Sequence, residues 1–275
     1  MRAWWRVLVV LAAVGFAAVV YVWATLPDVR PLATENPTTT AFMRIRAREA
    51  AADGRELPRG HEWVPYAQIP AHVRRAVTIA EDDAFFQHEG VDLVQLRRAL
   101  EESWENGESL RGASTITQQL AKNLYLSPAR SPVRKFRELI IARRLEAALS
   151  KERILEIYLN VIEWGDGVWG IGAAARTHFG VPASALTPRQ AALLAGAIIN
   201  PRALSPSDPS RRLLARQGLI LARLGGAAPA PRQVLESLPP ERLPQLFPDG
   251  PVALPAPEAA EPPASEPPAS APVAE

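Results

Sequence analysis

Apolar residues recur at helical spacing through most of the middle of the chain. In VDLVQLRRALEESWE (91–105), STITQQLAKNLYL (114–126), VRKFRELIIARRLEAALS (133–150) and KERILEIYLNVI (151–162) they fall at i, i+3, i+4 and i+7. Each stretch predicts an amphipathic helix. A shorter helix is expected at AFMRIRAREAA (41–51). Thr187-Pro188-Arg189-Gln190 reads as a helix start: Thr as N-cap, Pro in the first helical position, Gln three residues after the cap. Strand-like alternation is almost missing, and no internal repeat is evident. The expected fold class is mostly α.

The N-terminus follows a different pattern. Val7 to Leu26 is twenty residues without a charge. As a helix it spans about 30 Å, the hydrocarbon thickness of a bilayer. Arg2 and Arg6 precede it, and Tyr21 and Trp23 lie near its far end. The expectation is a retained transmembrane anchor over 7–26, with 1–6 cytoplasmic and the rest exported. A cleaved signal peptide is the alternative, with Val22-Trp23-Ala24 as a passable cleavage site. Residues 27–60, with four prolines, read as a stalk carrying the short helix. Residues 61–225 read as the folded domain. From 226 to 275 Pro, Ala and Glu dominate, and such a segment cannot bury enough apolar surface to offset chain entropy. It is expected to be disordered.

Composition narrows the chemistry. With no cysteine, thiol nucleophiles, disulfides and thiolate metal sites are excluded. A net charge of +2 predicts no general affinity for polyanions, so no nucleic-acid partner is expected. The charge is uneven, however. Residues 111–153 hold ten Lys/Arg against three acids. That stretch could meet an anion, or could simply be a set of solvated helix faces.

Several side chains could carry chemistry. Thr115, Gln119 and Lys122 are spaced i, i+4 and i+7 and share one helix face, while Ile116, Leu120 and Leu124 form the face to bury. Arg134 and Glu138 are four apart, with Lys135 adjacent. They read either as an ordinary ion pair or as a carboxylate held among cations near a phosphate. Five glycines punctuate GDGVWGIGAAARTHFG (165–180) without forming a phosphate loop, and turn formation or packing accounts for them. In EDDAFFQHEGVD (81–92), Glu81 stands beside Asp82 and Asp83. Crowded and partly buried carboxylates have raised pKa values, which suits general-base work near neutral pH. His88 would share the face of Glu81 if the helix ran on, and its reading is structural.

Five motifs now stand in order. EDDAFFQHEGVD, RGASTITQQLAKN, RKFRE, KERILEIYLN and GVWGIGAAARTHFG resemble the five motifs of the peptidoglycan glycosyltransferases, glycosyltransferase family 51. The resemblance covers about 61–225 and implies a mostly α, lysozyme-like domain with an apolar lobe that dips into the membrane. It implies Glu81 as the base that takes a proton from the 4-hydroxyl of the acceptor sugar of lipid II. Glu138 would be the second essential carboxylate, near the donor diphosphate. Thr115, Gln119, Lys122, Asn123, Arg134 and Lys135 would hold the donor sugar and diphosphate. Asp82, Phe85 and His88 would shape the Glu81 motif on the substrate side.

The implied reaction is a single inverting displacement that makes β-1,4-linked glycan and releases undecaprenyl diphosphate. Its partners would be lipid II, the growing glycan strand, the membrane and other cell-wall synthesis and division proteins. No cofactor is obligatory, although a divalent cation (Mg or Mn) could reach the diphosphate through Glu138. S-x-x-K is missing from the chain, so no transpeptidase activity is expected. The localisation implied is the inner membrane, with the catalytic domain in the periplasm. The chief rival is a lysozyme-type hydrolase, which also uses a glutamate but needs neither cation cluster nor anchor. A non-catalytic scaffold is a third reading, and it leaves the two glutamates without a purpose.

Overall fold

The computed structural model describes residues 2–55, 62–106, 114–129 and 131–225. The Pro/Ala/Glu-rich tail (226–275), Arg111 and Arg130 lie outside the described residues. The order is α1 (Arg2–Ala24), α2 (Ala41–Ala52), α3 (Ala71–Glu81), α4 (Leu93–Asn106), α5 (Ile116–Tyr125), α6 (Pro132–Ala148), α7 (Lys151–Val161), β1 (Glu163–Gly165), β2 (Val168–Trp169), α8 (Gly170–Phe179), α9 (Pro188–Ala197) and α10 (Arg211–Leu224). The chain is mostly α, as its periodicity predicts. Among the described residues the strands form one short antiparallel hairpin.

Local chemistry fixes the helix starts. Thr40, Thr115, Ser131, Ser150, Thr187 and Ser210 are N-caps whose hydroxyls each accept a backbone N–H from the first turn. Thr187 and Gln190 complete a reciprocal capping box. At the hairpin the backbone turns through Gly167 and Gly170, both with positive φ. Gly170 has φ +81°, and a Cβ there would lie 2.6 Å from the Asn160 carbonyl oxygen. Only glycine allows α8 to start so close to the end of α7.

Two helical groups meet in one core. α3 packs with α9 and α10, and α5 packs with α6, α7 and α2. Ile116 and Leu120 of α5 and Ile154, Leu155, Tyr158 and Leu159 of α7 are wholly buried. Each large aliphatic side chain so buried contributes about 1.5–3 kcal/mol. Asn160 ties the chain before α3 to α7: its Oδ1 accepts from Val64 N at 2.8 Å and its Nδ2 donates to Val64 O at 2.9 Å.

Residues 27–55 differ from the expected stalk, because they lie on the domain. Val29 and Leu32 belong to the main core. Arg153 of α7 donates to the Leu32 and Glu35 carbonyls and to Asn36 Oδ1, each at 2.8 Å. Arg46 of α2 pairs with the buried Glu163. The prolines break regular structure here without releasing the segment. α1 itself is apolar, leaves large side chains such as Trp4, Leu11, Phe16 and Trp23 exposed, and is long and apolar enough to cross a membrane.

Candidate active site

Glu81 is the last residue of α3, and its helix ends there because Asp82 leaves helical geometry at φ −168°. His88 therefore does not share a helix face with Glu81; it follows a short 3₁₀ turn at Phe85–Gln87. Gln119 of α5 donates its Nε2 to Glu81 Oε2 at 2.8 Å. Tyr158 of α7 donates its hydroxyl to Gln119 Oε1 at 2.9 Å. Burial pushes the Glu81 carboxyl above the usual carboxylate range, against the pull of the Gln119 N–H and the charges of Arg216 and Lys122.

The second carboxylate is held differently. Glu138, on α6, is only 3% exposed. Its Oε2 accepts from Arg134 Nη1, and its Oε1 accepts from Lys135 Nζ at 2.6 Å. Lys135 Nζ also donates to Ser114 Oγ at 3.0 Å and Gln118 Oε1 at 2.9 Å. The i, i+4 pair is thus part of a cluster in which partly exposed cations hold a buried carboxylate, a charge that is stable only with its partners present. Lys122 of α5 feels both carboxylates. Burial lowers its pKa, and Glu138 and Glu81 oppose that shift. A carboxyl of raised pKa and a carboxylate held by two cations therefore both act on one lysine.

Other expected site residues are turned inward. Thr115 donates its hydroxyl to Gly90 O at 2.8 Å while capping α5, so that hydroxyl is spent in the fold. Asn123 donates to the Gln119 carbonyl one turn back. Asp82 is 3% exposed; its Oδ2 accepts from Ile116 N and its Oδ1 meets His88 Nε2, both at 2.9 Å. Phe85 is fully buried, with Lys151 Nζ 4.5 Å from its ring centre. These four residues and His88 build the walls of the site. Asp83 is also engaged, held by Arg75 and by Arg223 of α10.

Sequence reasoning passed over Tyr158, Ser114, Gln118 and Arg216. Ser114 and Gln118 stand inside the second of the five motifs and Tyr158 inside the fourth. Tyr158 occupies an apolar position of the α7 period and gives no sign of its hydroxyl's partner. Arg216 lies on α10, outside every motif. The basic stretch likewise proves mostly structural: Arg137 donates to Thr25, Arg143 to the Glu89 carbonyl and Arg144 to that of Pro27.

Metal ligation is a separate question. Among the described residues, one trio of metal-capable side chains comes together: Asp82, His88 and Asp92, with ligand atoms within 4.8 Å of one another. Their atoms already serve the loop, since Asp92 Oδ1 accepts from Gln95 N and Asp82 holds Ile116 and His88. Glu138 is not in this trio.

The domain thus carries a buried carboxyl of raised pKa and a second carboxylate bound by two cations. A family model described as "Transglycosylase" matches residues 51–225. The chain belongs to the transglycosylase family and is a glycosyltransferase enzyme. It is similar to the biosynthetic peptidoglycan transglycosylase of Azoarcus sp. (strain BH72), 45% identical over 84% of this chain and 100% of the relative. The protein of the same name from Aromatoleum aromaticum is 51% identical over 61% of this chain and 73% of its own length. That of Nitrosomonas eutropha is 48% identical over 70% and 78%.

Proposed function

We propose that this chain polymerises lipid II into β-1,4-linked glycan strands and releases undecaprenyl diphosphate. The observation that carries the reading is the pairing of Glu81, raised by burial and held by Gln119, with the Glu138–Arg134–Lys135 cluster across Lys122. In this reading the acceptor 4-hydroxyl attacks the anomeric carbon of the donor sugar. Its proton passes to Glu81, and the bond from that carbon to the diphosphate oxygen breaks. The electron pair leaves with the undecaprenyl diphosphate. Gln119 occupies Glu81 Oε2, which leaves Oε1 to take the proton. Lys122, Arg134 and Lys135 offset the charge on the leaving group, so it needs no protonation.

The donor set offers a divalent cation little to hold. Both Glu138 oxygens already accept from cationic donors, and among the described residues no metal-capable trio includes Glu138. α1 is the proposed single-pass anchor in the inner membrane, with the N-terminus cytoplasmic and the domain periplasmic. Without S-x-x-K, the reading includes no transpeptidase step.

Labelled lipid II, incubated in detergent with the wild-type chain or with Glu81→Gln, tests this. Polymer from the wild type and a loss of about 10²–10⁴-fold in the variant are expected. A wild type that makes no polymer but cuts purified peptidoglycan would establish the hydrolase reading instead.

A further inference from the structure

Tyr158 is wholly buried, yet its hydroxyl is used: it ends a hydrogen-bonded chain that runs to Glu81. The chain has a direction. An amide has one acceptor end and one donor end. A tyrosine hydroxyl can accept as well as donate, but among the described residues the buried Tyr158 O–H has no acceptor other than Gln119 Oε1, so a turned amide would strand its proton, and Gln119 keeps its Nε2 toward Glu81. We propose that Tyr158 is a positioning residue for Glu81: it fixes the amide of Gln119 so that an N–H, never a carbonyl, faces the carboxylate. This rests on the reading of Glu81 as the base.

The consequence is a matter of sign. An N–H donated to Glu81 favours its ionised form, the form a base must have before it takes a proton. An amide turned over would present Oε1 to a carboxylate oxygen. Two acceptors repel unless the carboxyl holds a proton, so the flipped amide favours protonated, inactive Glu81. Among the described residues the Gln119 amide is bonded by Tyr158 and Glu81 alone. Asn123 bonds the main-chain carbonyl of Gln119 and leaves its amide free to rotate.

The other groups around Glu81 act on its charge and not on this choice. Arg216 comes from α10, Lys122 from α5, and Asp82 from the next position along the chain. α9, also packed on α3, buries Ala191, Ala192, Leu194 and Ala195 and keeps its one charged residue, Arg189, exposed. Arg216 is itself anchored through Nε to the Gly196 carbonyl at 3.0 Å. Tyr158 is too deep to meet substrate, so its effect must travel through Gln119.

The test is Tyr158→Phe in the full chain, assayed on labelled lipid II in detergent across pH. The acidic limb of kcat should move to higher pH by about one unit, so that kcat on the acidic side of the limb falls about tenfold while the plateau above it changes little. KM for lipid II should hold. Gln119→Leu should move the limb the same way, because it removes the donor. In the Gln119→Leu chain, adding Tyr158→Phe should change nothing further. That double variant also leaves no amide oxygen stranded, so it reads the coupling even where Tyr158→Phe alone folds poorly. An unmoved limb in Tyr158→Phe, or a further shift on adding it to Gln119→Leu, would overturn the inference. A wild type or Glu81→Gln that behaves against the proposed function would instead overturn the base itself.

Discussion

Asp82 allows a sharp separation between a residue that binds substrate and one that builds the site. The resemblance places it on the substrate side. The structure spends both its oxygens internally, on Ile116 N and His88 Nε2. Asp82→Ala strands the Ile116 N–H at the start of α5. It also leaves the His88 ring without a partner, because Nδ1 has none already. A buried donor left unpaired costs about 1–3 kcal/mol, more when its partner was charged, so the sum is about 4 kcal/mol. For a domain of this size that is a fall in Tm of roughly 8–16 °C. Asp82→Asn keeps an acceptor for Ile116, and the other His88 tautomer can accept its amide. Its cost should be about 1 kcal/mol, or roughly 2–4 °C. Thermal unfolding of the full chain in detergent measures both. Kinetics on lipid II, run well below each Tm, should show KM within about twofold of wild type. Were Asp82→Ala to melt like the wild type while KM rose about tenfold, worth about 1.4 kcal/mol of binding, the substrate role would be right and the structural argument wrong.

Other outcomes follow from the same geometry. The Glu81 carboxyl titrates above its ordinary value of 4.5, so kcat/KM should fall as pH drops through that raised value; a limb at or below 4.5 would contradict the burial argument. Stability carries the opposite sign. A raised carboxyl favours the fold below its ordinary pKa, and that contribution is lost as pH rises through the raised one. Glu81→Gln should therefore melt higher than wild type at neutral pH and converge with it near pH 4, which differential scanning calorimetry would follow. Lys122→Met should lower kcat/KM about 10²–10³-fold with little change in Tm, since it removes a charge whose burial is unfavourable. Gly170→Ala should cost about 3 kcal/mol or more, read as a drop in Tm, from its positive φ and the clash with the Asn160 carbonyl. Arg153→Ala should raise amide exchange over residues 32–36, which its guanidinium holds.

The helices were legible because their apolar periods are long and their caps conventional. Ile116, Leu120 and Leu124 are buried as their spacing predicts. The site was legible in its residues and less so in their roles. Arg134 and Glu138 are paired in either reading of their spacing. What spacing could not supply was Lys135 reaching back to Gln118 and Ser114, a contact between helices brought together only by the core. Thr115 shows the converse. Its place on the Gln119–Lys122 face suggested a ligand, but a threonine at a helix N-terminus is claimed first by the backbone. The stalk was misread because prolines signal irregular backbone and say nothing of whether arginines elsewhere will hold it.

α6 joins the residues that follow α1 to the Glu138 cluster. Arg134, Lys135 and Glu138 form its anion cluster, and Arg137, between them in sequence, donates Nη1 to Thr25 Oγ1 at 3.0 Å and Nη2 to Thr25 O at 2.9 Å. Two turns on, Arg144 donates to the Pro27 carbonyl and faces the Trp23 ring. The same helix leaves Val133 and Phe136 exposed near its start. Thr25 is the first residue after α1. With α1 across a bilayer, this clamp sets the cation cluster within about a side chain's length of the interface, where tryptophan rings and arginine stems are at home. A diphosphate on a lipid sits at that same height. Under the proposed function the enzyme has no need to lift its substrate from the membrane, because the helix proposed to bind the phosphates is fastened to the residue that follows the proposed anchor. The order of residues along α6, alternating between anchor and anion, follows from its turn of 3.6 residues. One face of that turn holds the anchor, the next holds Glu138, and a single rigid element fixes the distance between them.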